Sequence, residues 1–432
     1  MICAVRALVN HESLSRSRED TPVGAVPTAP ERSAVWLERL ALTEFRNYAG
    51  AEIDGDGRSV VLTGPNGAGK TNLLEAISFL SPGRGLRRAK LSDVGRVLRS
   101  DTGNGASTPD EETSLRPWAV AATVMTADGP REIGTGSDPT VEPSPDGRTQ
   151  ARRVVKIDGA LARRQQDLGE ILGMVWLTPQ MDSLFRDGAS ARRRFLDRLV
   201  YGFDPAHAGR LGAYEQALRE RTRLLKAGQF DDRWLNALED GMARHGVAVA
   251  AARRDLVARL AEACTLGVGG FPVAGLGLTG DVEGWLDETS ALETEDRLRG
   301  GLAEARRRDA EAGGAALGPH RSDLLVEHME RQQPAGLCST GEQKALLVSI
   351  VLAHARLIAL HRGAAPLLLL DEVAAHLDET RRRDLFDEVV ALGVQAWLSG
   401  TEAEVFAPLA DAARFYLVKD ATLTVGSPPR RA

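Results

Sequence analysis

A chain of 432 residues with a hydrophobic share of 43% can bury a large core and a second domain, which excludes a disordered or fibrous protein. The formal net charge of -6 excludes whole-molecule attraction to nucleic acid, so any DNA surface has to be a local basic patch. Cys3, Cys264 and Cys338 show neither C-x-x-C pairing nor metal spacing, no stretch approaches the length of a membrane helix, and Ala4 to Val9 is too short for a signal-peptide core, so reduced thiols and a cytoplasmic location are expected.

Residues 1–35 are polar, carry scattered prolines and show no sustained period. They read as a disordered extension, or as the product of a start codon placed too early. Trp36 to Phe45 and Tyr48 to Ile53 read as an antiparallel pair feeding Ser59 to Thr63, a β-branched and apolar run expected to be a buried strand. Next comes Gly64-Pro65-Asn66-Gly67-Ala68-Gly69-Lys70-Thr71-Asn72, which has the form G-x-x-x-x-G-K-[ST] from Gly64 to Thr71. Leu73, Leu74, Ile77 and Leu80 follow at helical spacing. Strand, glycine loop and helix start are the context that a phosphate-binding loop requires. The glycines let the backbone wrap a phosphate that a β-carbon would obstruct. Backbone N–H groups and the helix N-terminus add partial positive charge. Lys70 is expected at the outer phosphates of ATP, and the Thr71 hydroxyl on Mg²⁺.

Ser81 to Gly85 stop that helix, and Arg84, Arg87, Arg88, Lys90, Arg96 and Arg99 follow as a basic cluster open to DNA, phosphate or water. Trp118 to Met125, Arg131 to Ile133 and Arg152 to Ile157 read as strands of an antiparallel sheet, with polar loops at 101–113 and 134–150. Val175 to Asp182 leads from a strand into a loop. Gly188 opens a helical region whose first turns carry Arg192, Arg193 and Arg194. Arg87, Arg88 and this arginine run are the candidate DNA contacts. Leu211, Tyr214, Leu218 and Leu225 share one helical face, and Leu235, Leu238, Met242, Val249, Leu256 and Leu260 share the next. A break at 228–232 makes this a helical hairpin with a short heptad-like seam. Gly267 to Gly280 reads as loop or strand, and Thr289 to Arg308 as a helix leading back.

Leu317 to Val326 is expected to re-enter the sheet. Ser339-Thr340-Gly341-Glu342-Gln343-Lys344 then precedes an apolar helix, and serine and glycine at a helix start make an N-cap and an anion site. Pro366 to Leu370 is an apolar run of the kind buried on both faces of a sheet, and it ends in Asp371 and Glu372. There Asp371 can hold Mg²⁺ directly or through water, and Glu372 is placed to polarise an attacking water. Gln395 to Glu402 reads as the following strand.

In this order the motifs resemble an ABC-type ATPase head of the SMC-like kind, and within that group the RecF family of bacterial recombination mediators. The resemblance covers roughly Leu37 to Val425. It rests on Phe45-Arg46-Asn47-Tyr48, the Gly64 to Asn72 loop, Gly318-Pro319-His320-Arg321-Ser322-Asp323, the Ser339 to Lys344 signature, and Leu370-Asp371-Glu372 with His376-Leu377-Asp378. It implies an α/β fold: a P-loop ATPase head at 36–186 and 306–432, with a helical arm domain inserted at 187–305. It implies that Arg46 and Asn47 lie near the nucleotide, and that Gln180, or Asp182 beside it, touches Mg²⁺ and the attacking water. It implies a nucleotide or dimer contact for His320 and Arg321, and a dimer-crossing loop at Leu377-Asp378. Ser339, Gly341 and Glu342 would act in trans, across a homodimer closed by ATP. Thr401 stands where ABC transporters carry a γ-phosphate-sensing histidine, which suits the SMC-like branch.

The implied function is ATP-dependent DNA binding in recombinational repair and replication, with a place in the SOS response. The resemblance implies a weak DNA-stimulated ATPase that dimerises on ATP at DNA gaps, on double- and single-stranded DNA. It would assist RecA loading together with RecR and RecO. An ABC transporter ATPase subunit is the competing reading; the helical insert, the long separation of P-loop and signature, and the lack of L-S-G-G-Q stand against it. A non-hydrolysing scaffold gated by ATP is opposed by the intact Asp371 and Glu372. A P-loop kinase of a small metabolite leaves the signature unexplained.

Overall fold

The computed structural model describes residues 35–97, 117–138, 152–228 and 231–429. The expected disorder of residues 1–35 therefore lies outside them except for Val35, as do Arg99 and most of the two polar loops. Strand β1 (Trp36–Phe45) turns through Arg46, whose φ is +56°, into β2 (Tyr48–Asp54). Strand β3 (Ser59–Thr63) is buried at every position and runs through the glycine loop into α1 (Lys70–Ser78). Strands β4 (Ala119–Thr126), β5 (Gly129–Ser137), β6 (Arg153–Ile157) and β7 (Ala160–Leu161) join the first two in an antiparallel sheet of order β2-β1-β4-β5-β6-β7. Short α2 (Asp167–Ile171) leads to β8 (Met174–Leu177).

The inserted region starts with α3 (Ala189–Phe203) and continues as the hairpin α4 (His207–Lys226) and α5 (Asp232–Thr265). Tyr214, Met242, Val247, Leu298 and Leu302 belong to its apolar core. The seam also holds a fully buried cation: Arg221 pairs with Glu239 at 2.9 Å and Asp309 at 2.8 Å. Strand β9 (Ala274–Thr279), α6 (Asp281–Glu288), α7 (Ala291–Glu304) and α8 (Arg306–Ala312) lead to β10 (Asp323–His328) and β11 (Gln333–Pro334). Strand β10 pairs with β9 and β11 in a sheet of its own, so the expectation that it re-enters the main sheet is corrected. Its alternating burial suits an antiparallel strand covered on one face, not a strand buried on both.

Helix α9 (Thr340–Arg362), β12 (Leu367–Leu370), α10 (Glu379–Ala391), β13 (Ala396–Gly400), β14 (Ala413–Lys419) and β15 (Thr422–Val425) complete the described chain. The second large sheet has the order β15-β14-β3-β13-β12-β8, parallel except at β15. Val61, Leu368 and Leu370 face one cluster with α9; Val60, Leu62, Leu367 and Leu369 face the other with α1 and the antiparallel sheet. The expectation about membrane-length segments is also corrected. Helix α9 is long and apolar enough to span a membrane, yet every residue from Gln343 to Ala355 is buried, as in the central helix of a large core.

Candidate nucleotide site

Strand β13 lies between β3 and β12 and runs parallel to both, so the glycine loop and Asp371-Glu372 leave the sheet at the same edge, one strand apart. Ligands of open α/β sheets bind at that carboxyl edge. The loop is cut to glycine. At Gly69 φ is +121°, and a β-carbon would stand 2.7 Å from the Tyr48 hydroxyl. At Gly64 φ is +145°, and a β-carbon would collide with the Val418 carbonyl. Lys70 is buried, and its ammonium donates to the carbonyls of Gly64 at 2.8 Å and Pro65 at 3.1 Å. It also lies 3.5 Å from the Glu372 carboxylate.

The Thr71 hydroxyl donates to Asp371 Oδ1 at 2.9 Å, and Ser399 at the end of β13 donates to the same oxygen at 2.7 Å. Ser399 also accepts the Glu372 N–H at 2.9 Å. Burial pushes the Asp371 carboxyl above the ordinary range, while the Ser399 and Thr71 hydrogen bonds pull it down. Glu372 has φ +53°, a left-handed conformation that non-glycine residues reserve mostly for special sites. A hydroxyl and a carboxylate oxygen in contact beside a glycine cradle fit Mg²⁺, which takes one or two protein oxygens together with phosphate oxygens.

Asn47 donates to the Ala68 carbonyl at 3.3 Å and accepts from Asn72 at 2.7 Å, so it touches the glycine loop. Arg87 continues that chain, donating to Asn72 Oδ1 at 2.6 Å. Arg46 does not face the loop. Its guanidinium holds Glu75 of α1 at 2.8 and 2.9 Å and the Asp93 carbonyl at 2.6 Å. Glu75 is fully buried and requires a paired cation, supplied by Arg46 and by Arg87 at 3.3 Å, so the Arg46 guanidinium is engaged with α1.

Gln180 is exposed on the one-turn segment after β8, three residues past Leu177, whose carbonyl accepts the Asp371 N–H at 2.9 Å. Asp182, on the same turn, pairs with buried Lys344 at 3.5 Å. In the signature, the Ser339 N–H donates to Glu342 Oε2 at 2.9 Å, and its hydroxyl accepts the Glu342 N–H at 3.4 Å. That is a capping box at the start of α9. Gly341 is exposed, and its carbonyl accepts from Arg381 at 3.5 Å.

The Gly318 to Asp323 turn is fastened to the arm instead of the loop. His320 Nδ1 lies 2.6 Å from the Tyr214 hydroxyl, and Arg253 donates to the Pro319 carbonyl at 2.6 Å. Arg192 grips Asp323 with two bonds of 2.7 Å, and Arg193 donates to the Ser322 carbonyl at 2.7 Å. The guanidiniums of Arg192 and Arg193, expected at DNA, are thus engaged within the fold and only partly exposed, whereas Arg194, Arg84, Arg88 and Lys90 are exposed. Two residues have a place in the site to which the sequence reading assigns no role of their own. Lys344 enters it only as the end of the signature, and Ser399 only as a polar residue within an apolar strand.

The family model described as "RecF/RecN/SMC N terminal domain" matches residues 36–422. A "DNA replication and repair protein RecF" of Allorhizobium ampelinum is 48% identical over 400 residues, covering 90% of this chain and 99% of the relative. The chain belongs to the RecF family. A second RecF, from Rhizobium etli, is 49% identical over 389 residues, covering 89% of this chain and 98% of its own length. A solved recombination mediator protein RecF with ATP aligns at TM-score 0.72 and 21% identity, over 91% of this chain and 100% of that one. Its RecF-ATPrS counterpart aligns at TM-score 0.76 and 20% identity, over 92% and 99%. At such identity the likeness shows a RecF fold, the ABC-type and SMC-like head with its inserted arm. RecF membership sets aside the transporter reading.

Proposed function

We propose that this RecF-family chain is an ATP-gated DNA-binding protein of replication and recombinational repair. The contact of Thr71 with Asp371, one residue before Glu372, is the observation that carries the reading. Lys70 would exchange the Gly64 and Pro65 carbonyls for the outer phosphates of ATP, which offer its ammonium charged acceptors. Thr71 and Asp371, joined by Gln180 from the turn after β8, would hold Mg²⁺, which neutralises phosphate charge when bound. Glu372, its backbone fixed by Ser399, accepts a proton from an attacking water. The capping box of Ser339 and Glu342, with exposed Gly341 beside it, presents a helix N-terminus, a natural seat for an anion. In a twofold dimer it would meet the γ-phosphate held by a second copy.

Closure on ATP would clamp DNA at gaps, and slow DNA-stimulated hydrolysis would release it. Relatives described in the RecFOR pathway support RecO and RecR as partners, with RecA loading downstream. A DNA role places the protein in the cytoplasm. Exposed Arg88 and Arg194 are the proposed DNA contacts, joined by Arg87, which is wired to the loop through Asn72. The test is sizing with and without ATP beside a DNA-binding titration. Dimerisation and tighter DNA binding with ATP are expected; a chain that binds ATP but stays monomeric and indifferent to DNA would refute the clamp.

A further inference from the structure

Lys344 is a lysine where an apolar helix core is expected. It lies near the N-terminal end of α9, is 3% exposed, and is followed by the buried run Ala345 to Ala355. A cation close to the positive end of a helix and out of water is costly unless it is paired. Its partner is Asp182, at 3.5 Å. Asp182 closes the Gln180 turn, donating its N–H to the Pro179 carbonyl at 3.1 Å. The other oxygen of Asp182, Oδ1, is enclosed with no hydrogen-bond partner among the described residues. The loop that carries Asp182 runs beside the one that carries Glu372. The two carboxylates come from neighbouring strands, because Leu177 of β8 and Asp371 after β12 share a backbone hydrogen bond of 2.9 Å.

We propose that Lys344 is a positioning residue for hydrolysis, tying the signature helix through Asp182 to the Gln180 turn, which runs beside the loop of Glu372. This rests on the hydrolytic reading of Glu372 given above. Glu372 now lies 3.5 Å from Lys70, which has to leave for the phosphates when ATP binds. Lys344 has no such second duty. It stays with the signature helix and holds the two carboxylate-bearing loops in register when the head closes.

Lys344→Met tests this. Affinity for a fluorescent ATP analogue is expected to stay within about twofold, while kcat falls about tenfold to a hundredfold at little change in KM, the cost of a slightly misplaced group. Lys344→Arg, which keeps the charge, retains more turnover than Lys344→Met. Asp182→Asn repeats the loss, and the Asp182→Asn/Lys344→Met double variant is no worse than either alone, as for one shared interaction. A folded Lys344→Met with wild-type kcat overturns the proposal. So does a loss of turnover matched by an equal loss of ATP affinity and melting temperature, which marks a merely structural lysine. If Lys344→Met does not fold, the double variant, with both charges gone, decides: wild-type turnover in it overturns the proposal and reduced turnover with intact binding supports it. Glu372→Gln runs alongside. An active Glu372→Gln means that the hydrolytic reading has failed, whereas a dead one beside an active Lys344→Met means that only the positioning role has.

Discussion

The Thr71 hydroxyl and Asp371 Oδ1 meet at 2.9 Å across 300 residues of chain. Ser399 is what holds the acceptor still. It gives Asp371 a second donor and takes the Glu372 N–H, so one hydroxyl sets both acidic residues. Ser399→Ala leaves a buried N–H without its partner and strips a donor from a buried carboxylate. About 1–3 kcal/mol of stability should be lost, with a clear fall in ATP turnover. Chemical unfolding and a steady-state assay measure the two effects, and neither changing would mean that the Ser399 hydrogen bonds are incidental.

Glu372→Gln should keep nucleotide affinity and slow hydrolysis by about 10²–10⁴-fold, the contribution of a positioned base. ATP should then accumulate a dimer that sizing detects. A folded variant that binds ATP and remains monomeric would count against closure on ATP.

DNA affinity should fall steeply with salt, since an acidic chain can hold phosphate only through local arginines. Removing one phosphate-binding arginine should lower the slope of log K against log salt by about 0.9 on duplex DNA. Arg88→Ala and Arg194→Ala are the variants of choice because both side chains are exposed. Arg192→Ala should instead free Asp323 and leave the slope alone. An unchanged slope in both exposed variants moves the DNA surface elsewhere.

His354 makes stability depend on pH. Its Nε2–H donates to the Leu199 carbonyl at 2.8 Å, the ring is buried, and burial pushes its pKa down from 6.5 to about 3. The folded chain keeps a neutral imidazole where the unfolded chain takes up a proton. The contribution is therefore whole above pH 6.5 and is lost as pH falls from there toward 3. Between pH 7 and 5 that is about 2 kcal/mol. Urea unfolding of His354→Gln at the two pH values should show a loss smaller by about that amount; an identical loss would assign the acid sensitivity to other groups.

Local signals carried the phosphate loop, the acidic strand and the helical hairpin, because each is written in consecutive residues. What was not legible depended on partners far along the chain. Nothing near Arg46 announces that Glu75 is buried and waiting for a cation. The run Arg192 to Arg194 looks like a solvated basic stripe until Ser322 and Asp323 fold against two of its members. The seam of α4 and α5 reads as plain heptads, although Arg221 sits inside it with Glu239 and Asp309. The allocation of β10 to its own sheet turns on β9, a glycine-rich strand whose pattern is too short to separate from a loop.

The shared-site arrangement has the sharpest test. Ser339 caps its own helix, so Ser339→Arg should cost about 1 kcal/mol whether or not the serine also acts in trans. Stability alone therefore says nothing about trans action, and turnover must be read in mixtures. Lys70→Met and Ser339→Arg should each be inactive alone. If each site combines Lys70 of one copy with Ser339 of the other, a mixed dimer has one site with both lesions and one with neither. Random pairing makes about half of the dimers mixed, so activity should recover to at most roughly a quarter of wild type when the sites work independently. Thermal shifts on the same samples confirm that both variants remain folded. Ser339→Arg with full activity on its own would show that the capping box serves α9 alone, and the dimer built on the signature would have to be abandoned.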